Sequence, residues 1–362
     1  MDQEPQSRSA AAADSGGPVW RGLRGAVSGA DETGLPGATS QSAFPAIAVV
    51  VPAYNEEAKI AATLRSIPSR VCKIYAVNDA SSDRTGTIMR ICAEADPRIT
   101  IVDLPCNSGV GSAIVAGYQE VIRNGEDIAV VMAGDGQMDP ADLDSIVAPL
   151  LSDQCDYAKG NRFLRGRSQI ENIPRHRLFG NLILSVLTKI ASGYWHVSDS
   201  QSGYTAINRR ALMAVDWSRC YPRYGCPNDY LVRLNIANMR VSDVPIKAVY
   251  GPEWQSHMKP VAIAWPLLLL LFRLFRARMF QKYVVANGHP IVIFYAVAAI
   301  GLLSSSLLFL WGAVHTILLG RIPQTATILW GMTGMVSLQL ILHAFEMDYR
   351  DNEWLCVHRW DR

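Results

Sequence analysis

No Cys-x-x-Cys pair occurs in this chain. Its seven cysteines, Cys72, Cys92, Cys106, Cys155, Cys220, Cys226 and Cys356, are odd in number and widely spaced. They read as reduced thiols in a reducing compartment, and without a Cys/His cluster at ligand spacing they argue against a zinc site. Charge of one sign is also missing. With 34 Lys+Arg against 32 Asp+Glu the net charge is +2, which argues against a nucleic-acid binder, normally marked by a strong basic excess. The first 44 residues are poor in large apolar side chains and rich in Ala, Ser, Gly, Gln and Asp. Such a segment cannot bury enough surface to offset its ordering entropy and is expected to be disordered. It has no apolar run of signal-peptide length. A complete G-x-G-x-x-G is absent as well: Asn107–Ala113 (NSGVGSA) reads first as a close-packed turn and second as a nucleotide contact.

What the chain does have is alternation. The apolar runs at 46–51, 71–77, 99–103, 127–133 and 156–160 are each followed by a helical stretch, at about 56–67, 84–95, up to about 123, 140–151 and beyond 160. Continuous apolar strands separated by helices predict an α/β fold with a mostly parallel sheet covered on both faces. In such sheets ligands sit beyond the carboxyl ends of the strands, where this chain carries its polar motifs.

Long hydrophobic runs appear only late. Residues 290–319 and 326–345 carry no formal charge, and about 20 apolar residues suffice to cross a bilayer. The short linker between them predicts a transmembrane hairpin. Arg273, Arg276, Arg278 and Lys282 before it outnumber Arg321 in its loop, so both flanks are expected in the cytoplasm. Residues 261–281 are apolar but run straight into arginines, which favours a helix in the headgroup layer over a third span. The expected organisation is a tail (1–44), the α/β domain (45–259), an interfacial amphipathic helix region (260–288), two transmembrane helices (289–346) and a cytoplasmic C-terminal tail (347–362). The protein is expected in the cell membrane, multi-pass, with its α/β domain in the cytoplasm.

Three strand ends carry candidate chemistry: Pro52-Ala53-Tyr54-Asn55-Glu56-Glu57, Asn78-Asp79-Ala80-Ser81-Ser82-Asp83-Arg84-Thr85, and Ala133-Gly134-Asp135-Gly136-Gln137-Met138-Asp139-Pro140. Carboxylates there can accept from ribose hydroxyls or base N–H groups, but each loop singly is as well explained by helix capping, with Ser82 or Asp83 as caps. Asp135 and Gln137 offer hard oxygen donors at i, i+2, suited to Mg2+ or Mn2+ bridging a diphosphate. The plainer alternative is an Asx-turn leading into the Pro140 helix, which Asp139 alone would satisfy.

In order along the chain, P-A-Y-N-E-E, V-N-D-A-S-S-D-R-T, N-S-G-V-G-S-A, G-D-G-Q-M-D-P, K-G-N-R-F and D-S-Q-S-G-Y resemble family 2 glycosyltransferases of the GT-A fold, above all the polyprenyl-phosphate (dolichol-phosphate mannose synthase-like) subgroup. No piece is specific alone; the ordered set is, and it runs from about Ala46 to Lys259. The resemblance implies a nucleotide-sugar pocket lined by Pro52, Tyr54, Glu56, Asp79 and Asp135, and a metal held by Asp135 and Gln137. It implies an acceptor phosphate held by Arg162, with Arg175 or Arg177 as a second cation, and a sugar and acceptor pocket shaped by Asp199, Ser202 and Gly203. Lys259 either closes over the diphosphate or anchors at the membrane. The family usually shows D-x-D-x-Q, and here Ala133 replaces the first Asp.

Residues 159–177 hold Lys159, Arg162, Arg165, Arg167, Arg175 and Arg177 against Glu171 alone. Beside an apolar helix such a cluster suits a lipid phosphate, although charge runs are commonly only solvated faces. The expected reaction is transfer of a sugar from a UDP- or GDP-sugar to a polyprenyl phosphate of undecaprenyl or dolichyl type, with the inversion that the family resemblance implies. One rival is a hydroxyl acceptor, which needs a base, for which Asp229 stands in place but reads first as a helix cap. The other is a catalytically idle, membrane-tethered nucleotide-sugar binder. The sequence leaves monomer and homo-oligomer open.

Overall fold

The computed structural model describes residues 44–165, 175–247, 260–286 and 288–357. Residues 1–43 of the expected tail and Lys259 lie outside them. Four strands alternate with helices over the first half: β1 (Ile47–Ala53), α1 (Ile60–Ser66), β2 (Lys73–Asn78), α2 (Thr85–Ala95), β3 (Ile99–Asp103), α3 (Val110–Asn124), β4 (Ile128–Val131) and α4 (Leu143–Leu151). There follow β5 (Tyr157–Asn161), α5 (Arg175–Ser192), β6 (Thr205–Asn208), α6 (Arg209–Ala214), α7 (Cys226–Ile236), β7 (Val241–Pro245), α8 (Pro260–Arg278), α9 (Ile291–Leu319), α10 (Gln324–Asn352) and β8 (Cys356–Val357).

The strands form one eight-stranded sheet in the order β3-β2-β1-β4-β6-β5-β7-β8. It is parallel except at β6, which runs against both β4 and β5. The expected mostly parallel α/β sheet is what forms. The reversal at β6 has a consequence for the site: β4 and β5, each antiparallel to β6, point the same way, so the loops after them leave the same edge of the sheet. The run IAVVVPA is buried along its whole length, as strands covered on both faces require. One face carries a core including Val49, Val51, Ile74, Ile128 and Val130. The other carries Val50, Tyr75, Ala129, Val131 and Tyr118. α3 lies so close to β1 that a Cβ at Gly117 would collide with Val50.

Helices α9 and α10, of 29 residues each, would extend about 43 Å at 1.5 Å per residue, and both are long and apolar enough to cross a membrane. Small residues let them approach: Gly301 faces Ser337, Gly334 faces Ser305, and the Ser305 hydroxyl donates to the Trp330 carbonyl at 3.0 Å. Small residues at such contacts are the usual means of helix pairing in lipid.

One expectation is corrected. Residues 347–357 are not a separate tail, because α10 continues to Asn352 and β8 then pairs with β7 (Val241↔Cys356, Ser242↔Val357). Unpaired N–H and C=O groups on the β7 edge make this closure favourable. α8 turns Leu267, Leu270, Leu271 and Leu274 onto the catalytic unit. Its opposite stripe, Trp265, Leu268, Leu269 and Phe272, is exposed.

Candidate active site

The loops after β1 and β2 are laced together. Asn55 N–H donates to Ser81 Oγ at 3.1 Å, Ser82 N–H to Asn55 Oδ1 at 2.9 Å, and Glu56 N–H to Thr85 Oγ1 at 2.8 Å. Arg84 N–H and Nε both reach Glu57 Oε2. Asn55 and Ala80 sit at φ of 55° and 53°, a left-handed conformation that costs an L-residue such as alanine about 1–2 kcal/mol. Strain of this kind at strand ends marks a backbone held for a purpose beyond folding. Asp83 accepts from Thr85 N–H at 2.9 Å, so it, and not Ser82, serves the start of α2.

Asp79 is buried, and its two oxygens accept from Ser108 N–H (2.7 Å) and Gly109 N–H (2.8 Å). It thus ties the β2 loop to the turn that opens α3, where Gly109 needs its φ of 94°. Its main visible work is to hold that turn, as the close-packed reading of NSGVGSA anticipated. Tyr54 is exposed and Pro52 buried.

After β4, Asp135 Oδ1 accepts from Gln137 N–H at 3.0 Å, and Asp139 accepts from Ala141 N–H at 3.0 Å as the cap before Pro140. Asp139 therefore caps the Pro140 turn while half-buried Asp135 closes a separate Asx-turn onto Gln137 N–H, and among the described residues no protein donor reaches Asp135 Oδ2. Burial pushes the Asp135 carboxyl above its usual range, with Lys59 opposing. Glu56 is pushed up too, by burial first and by Asp135 second. A carboxylate whose negative charge raises a neighbouring acid marks a place where a cation is welcome. Lys59, which sequence reasoning passed over, already lends positive charge there. Among the described residues no group of three His, Cys, Asp or Glu side chains is poised around one point. The donors that are present, one or two carboxylates and an amide oxygen, match Mg2+ or Mn2+ completed by phosphate oxygens and water.

The second half of the site lies against this loop. Tyr204 Oη donates to the Asp139 carbonyl at 3.3 Å, and a Cβ on Gly203 would press on Met138. The segment Asp199–Tyr204 leading into β6 is therefore packed on the Asp135 loop, and its other end holds Arg162. Arg162 Nε and Nη2 form a two-pronged pair with Asp199, at 2.7 and 2.9 Å, and Arg162 N–H adds a third contact at 3.1 Å. Burial would raise the Asp199 carboxyl, but the guanidinium more than offsets this and holds it below its usual range. Asp199 and Ser202 are buried, whereas the Arg162 side chain keeps 28% exposure.

Two expectations change here. Lys159, counted among the cations facing a lipid phosphate, is fully buried in β5 with its ammonium on the Ser202 carbonyl, because strand alternation turns it into the sheet face under α7. Asp229 is neither cap nor free base. α7 is capped at Gly225 without a side chain, and buried Asp229 accepts from Tyr221 N–H (2.6 Å) and pairs with Arg233 (2.9 Å). Arg175 and Arg177 fall on the first turn of α5, whose side chains there are outside the described ones, as is Lys259. Asp243 was not anticipated: it lies on β7 beside Lys159 in register. An acid at the exposed-looking position of V-S-D-V-P, between the buried Val241 and Val244, was the only signal for it.

The family model described as glycosyl transferase family 2 matches residues 48–215. Among curated relatives, UDP-N-acetylglucosamine--dolichyl-phosphate N-acetylglucosaminyltransferase of Methanococcus voltae is 30% identical over 63% of this chain and 95% of its own. Undecaprenyl-phosphate mannosyltransferase of Micrococcus luteus is 27% identical over 59% of this chain and 87% of its own. Among solved structures, glucosyl-3-phosphoglycerate synthase from Mycobacterium tuberculosis aligns over 65% of this chain and 80% of its own at 19% identity and a TM-score of 0.47.

Proposed function

The chain belongs to glycosyl transferase family 2, and from that premise we propose that it moves a sugar, with inversion, from a UDP- or GDP-sugar to a polyprenyl phosphate at the cytoplasmic face of a membrane. The observation that carries this reading is the packing of the Asp135 loop on Asp199–Tyr204, whose Asp199 grips Arg162. On this reading the sites for the donor diphosphate and the acceptor phosphate would share one edge of the sheet. The named relatives act on dolichyl and undecaprenyl phosphates, which supports the acceptor class.

In the proposed reaction an acceptor phosphate oxygen attacks the anomeric carbon, the carbon–oxygen bond to the diphosphate breaks, and the nucleoside diphosphate leaves with the electron pair. A phosphate monoester has a second pKa of about 6, so the attacking oxygen is already ionised and needs positioning more than deprotonation. Arg162 supplies a planar fork for that phosphate, held in orientation by Asp199. The loops 54–57 and 79–85 would receive the nucleotide. Asp135 and Gln137 would hold Mg2+ or Mn2+, which when bound offsets charge on the departing diphosphate. The exposed stripe of α8 and the α9–α10 hairpin support a protein seated in the membrane, with α8 in the headgroup layer.

The hydroxyl-acceptor reading is disfavoured by Asp229, whose oxygens are engaged by Tyr221 and Arg233. The test is incubation of the purified protein with a panel of labelled UDP- and GDP-sugars, polyprenyl phosphate and Mn2+, followed by extraction of the lipid phase. We expect label in the lipid, and its loss in Asp135→Ala by two orders of magnitude or more. Absence of label in the lipid with every donor overturns the reading.

A further inference from the structure

Beneath the Arg162–Asp199 pair lies a second layer of polar groups that the proposed reaction does not use. Asp243 Oδ2 accepts from Asn161 Nδ2 at 2.5 Å and from Ser198 N–H at 3.1 Å. Asn161 Nδ2 also reaches Ser198 Oγ at 2.6 Å, while Asn161 Oδ1 accepts from Phe163 N–H at 2.9 Å. Asn161 and Ser198 immediately precede Arg162 and Asp199. One carboxylate therefore ties together the two backbone segments from which the two halves of the ion pair project. Lys159, the register partner of Asp243 on β5, holds the same loop further along through the Ser202 carbonyl.

We propose that Asp243 is a positioning residue for Arg162: it fixes the Asn161 side chain and the Ser198 backbone so that the guanidinium is presented in a fixed orientation to the acceptor phosphate. This rests on the reading of Arg162 as the acceptor grip. Three features support it. Asp243 sits on β7, a different strand from Arg162, so no local turn chemistry requires it. Its second oxygen, Oδ1, is buried without a partner, a costly arrangement for a group that contributed packing alone. The charged groups that act on it are Lys159 from β5 and Asp199 from the loop before β6. Burial pushes the Asp243 carboxyl up to about 6, with Lys159 opposing and Asp199 adding to the rise. β7 is also the strand on which β8 closes, so the chain that returns from the membrane helices abuts the strand carrying this anchor.

The test uses the full-length protein in detergent with Asp243→Ala and Asp243→Asn. Asparagine keeps an oxygen able to accept from Asn161 and Ser198; alanine does not. With polyprenyl phosphate as acceptor, we expect Asp243→Ala to raise the acceptor KM tenfold or more while the donor KM stays within twofold, and Asp243→Asn to restore most of that loss. Amide hydrogen exchange without any substrate should quicken at Arg162, Phe163 and Ser198 in Asp243→Ala and return towards the wild-type rate in Asp243→Asn. Equal rises in donor and acceptor KM, or exchange at these three amides unchanged in Asp243→Ala, overturn the proposal. If the wild-type protein transfers nothing to polyprenyl phosphate, the acceptor reading falls, and the exchange measurement alone still decides whether Asp243 holds this segment.

Discussion

Two arginine–aspartate pairs with the same bond lengths, one side-on through Nε and Nη2 and one end-on through Nη1 and Nη2, serve different ends in the described structure. Arg162 meets Asp199 at 2.7 and 2.9 Å at the edge of the sheet. Arg278 meets Asp348 at 2.7 and 2.9 Å where α8 and α10 come against the catalytic unit. Their surroundings differ. The Arg278 and Asp348 side chains are 0% and 1% exposed. Arg278 also donates to the Ala191 and Ile190 carbonyls at the end of α5, and Tyr283 and Asn352 add hydrogen bonds to Asp348. Gly193 leaves room for this, since a Cβ there would strike the guanidinium. Lys282 joins the group through Asn235 and Asn352, with burial pushing its ammonium down to about 8. The pair at the sheet edge keeps a partly exposed guanidinium above a fully buried acid. The same two residue types thus make a fully buried bolt and a grip whose guanidinium is partly exposed.

The sharpest break of this comparison is Arg278→Ala. It strands a buried carboxylate, which costs about 3–5 kcal/mol, and unfastens α8 and α10 from the sheet-bearing unit. We expect the apparent Tm in detergent to fall steeply and donor binding to be lost with it. A variant that keeps its thermal transition would show that the bolt is dispensable. Arg162→Ala should do the reverse. Asp199 retains the Arg162 N–H and the Lys159 charge, and water can reach the gap, so stability falls by about 1–2 kcal/mol. Transfer to polyprenyl phosphate should fall by two orders of magnitude or more, as steady-state kinetics would record. Arg162→Lys should not restore it, because an ammonium cannot reproduce the two-pronged fork.

The sheet-edge half of this contrast was legible in the sequence and the membrane-side half was not, for a physical reason. β1 to β4 are short-range: each strand, loop and helix follows in order, and the loops that carry Glu56, Asp79 and Asp135 come directly after apolar runs. Arg162 and Asp199 were both singled out, though not as each other's partner, since 37 residues separate them. Arg278 was counted only as positive charge flanking a span. Its pairing with Asp348 spans 70 residues and two membrane-length helices, and no local pattern announces a contact closed across such a hairpin. The same holds for β8, two residues long, and for Lys159, whose charge suggested exposure while its place on a fully covered strand dictated burial.

The pH behaviour sharpens the comparison further. The Asp243 carboxyl beneath Arg162 lies at about 6, above its ordinary 3.8. Its folded state therefore prefers the proton, and its stabilising contribution is complete below pH 3.8 and is lost as pH rises through 6. Lys159 is pushed by burial down to about 8; its contribution is complete at high pH and is lost as pH falls through 8. Asp243→Asn removes the first cost, and without the acid Lys159 becomes harder to keep charged. Both effects make the variant gain on the wild type as pH rises from 5 to 8. We expect a relative gain of about 2 kcal/mol, read from paired thermal unfolding curves.

The smallest effect belongs to Asp229, which resembles both pairs in having an arginine beside it yet belongs to neither role. Its oxygens accept from Tyr221 N–H and Arg233 Nε, and burial, opposed by Arg233, raises its carboxyl above the usual range. An acid so engaged fastens the 216–225 loop to α7. Asp229→Asn keeps an oxygen for Tyr221 N–H and gives up only the charge facing Arg233, so stability should fall by about 1 kcal/mol. A general base would behave differently: its amide would cost the 10²–10⁴-fold that proton transfer contributes. Turnover within threefold of wild type is the expected result, measured at saturating donor with polyprenyl phosphate. A hundredfold loss with the fold intact would return Asp229 to the reaction and, with it, an acceptor that has a hydroxyl proton to lose.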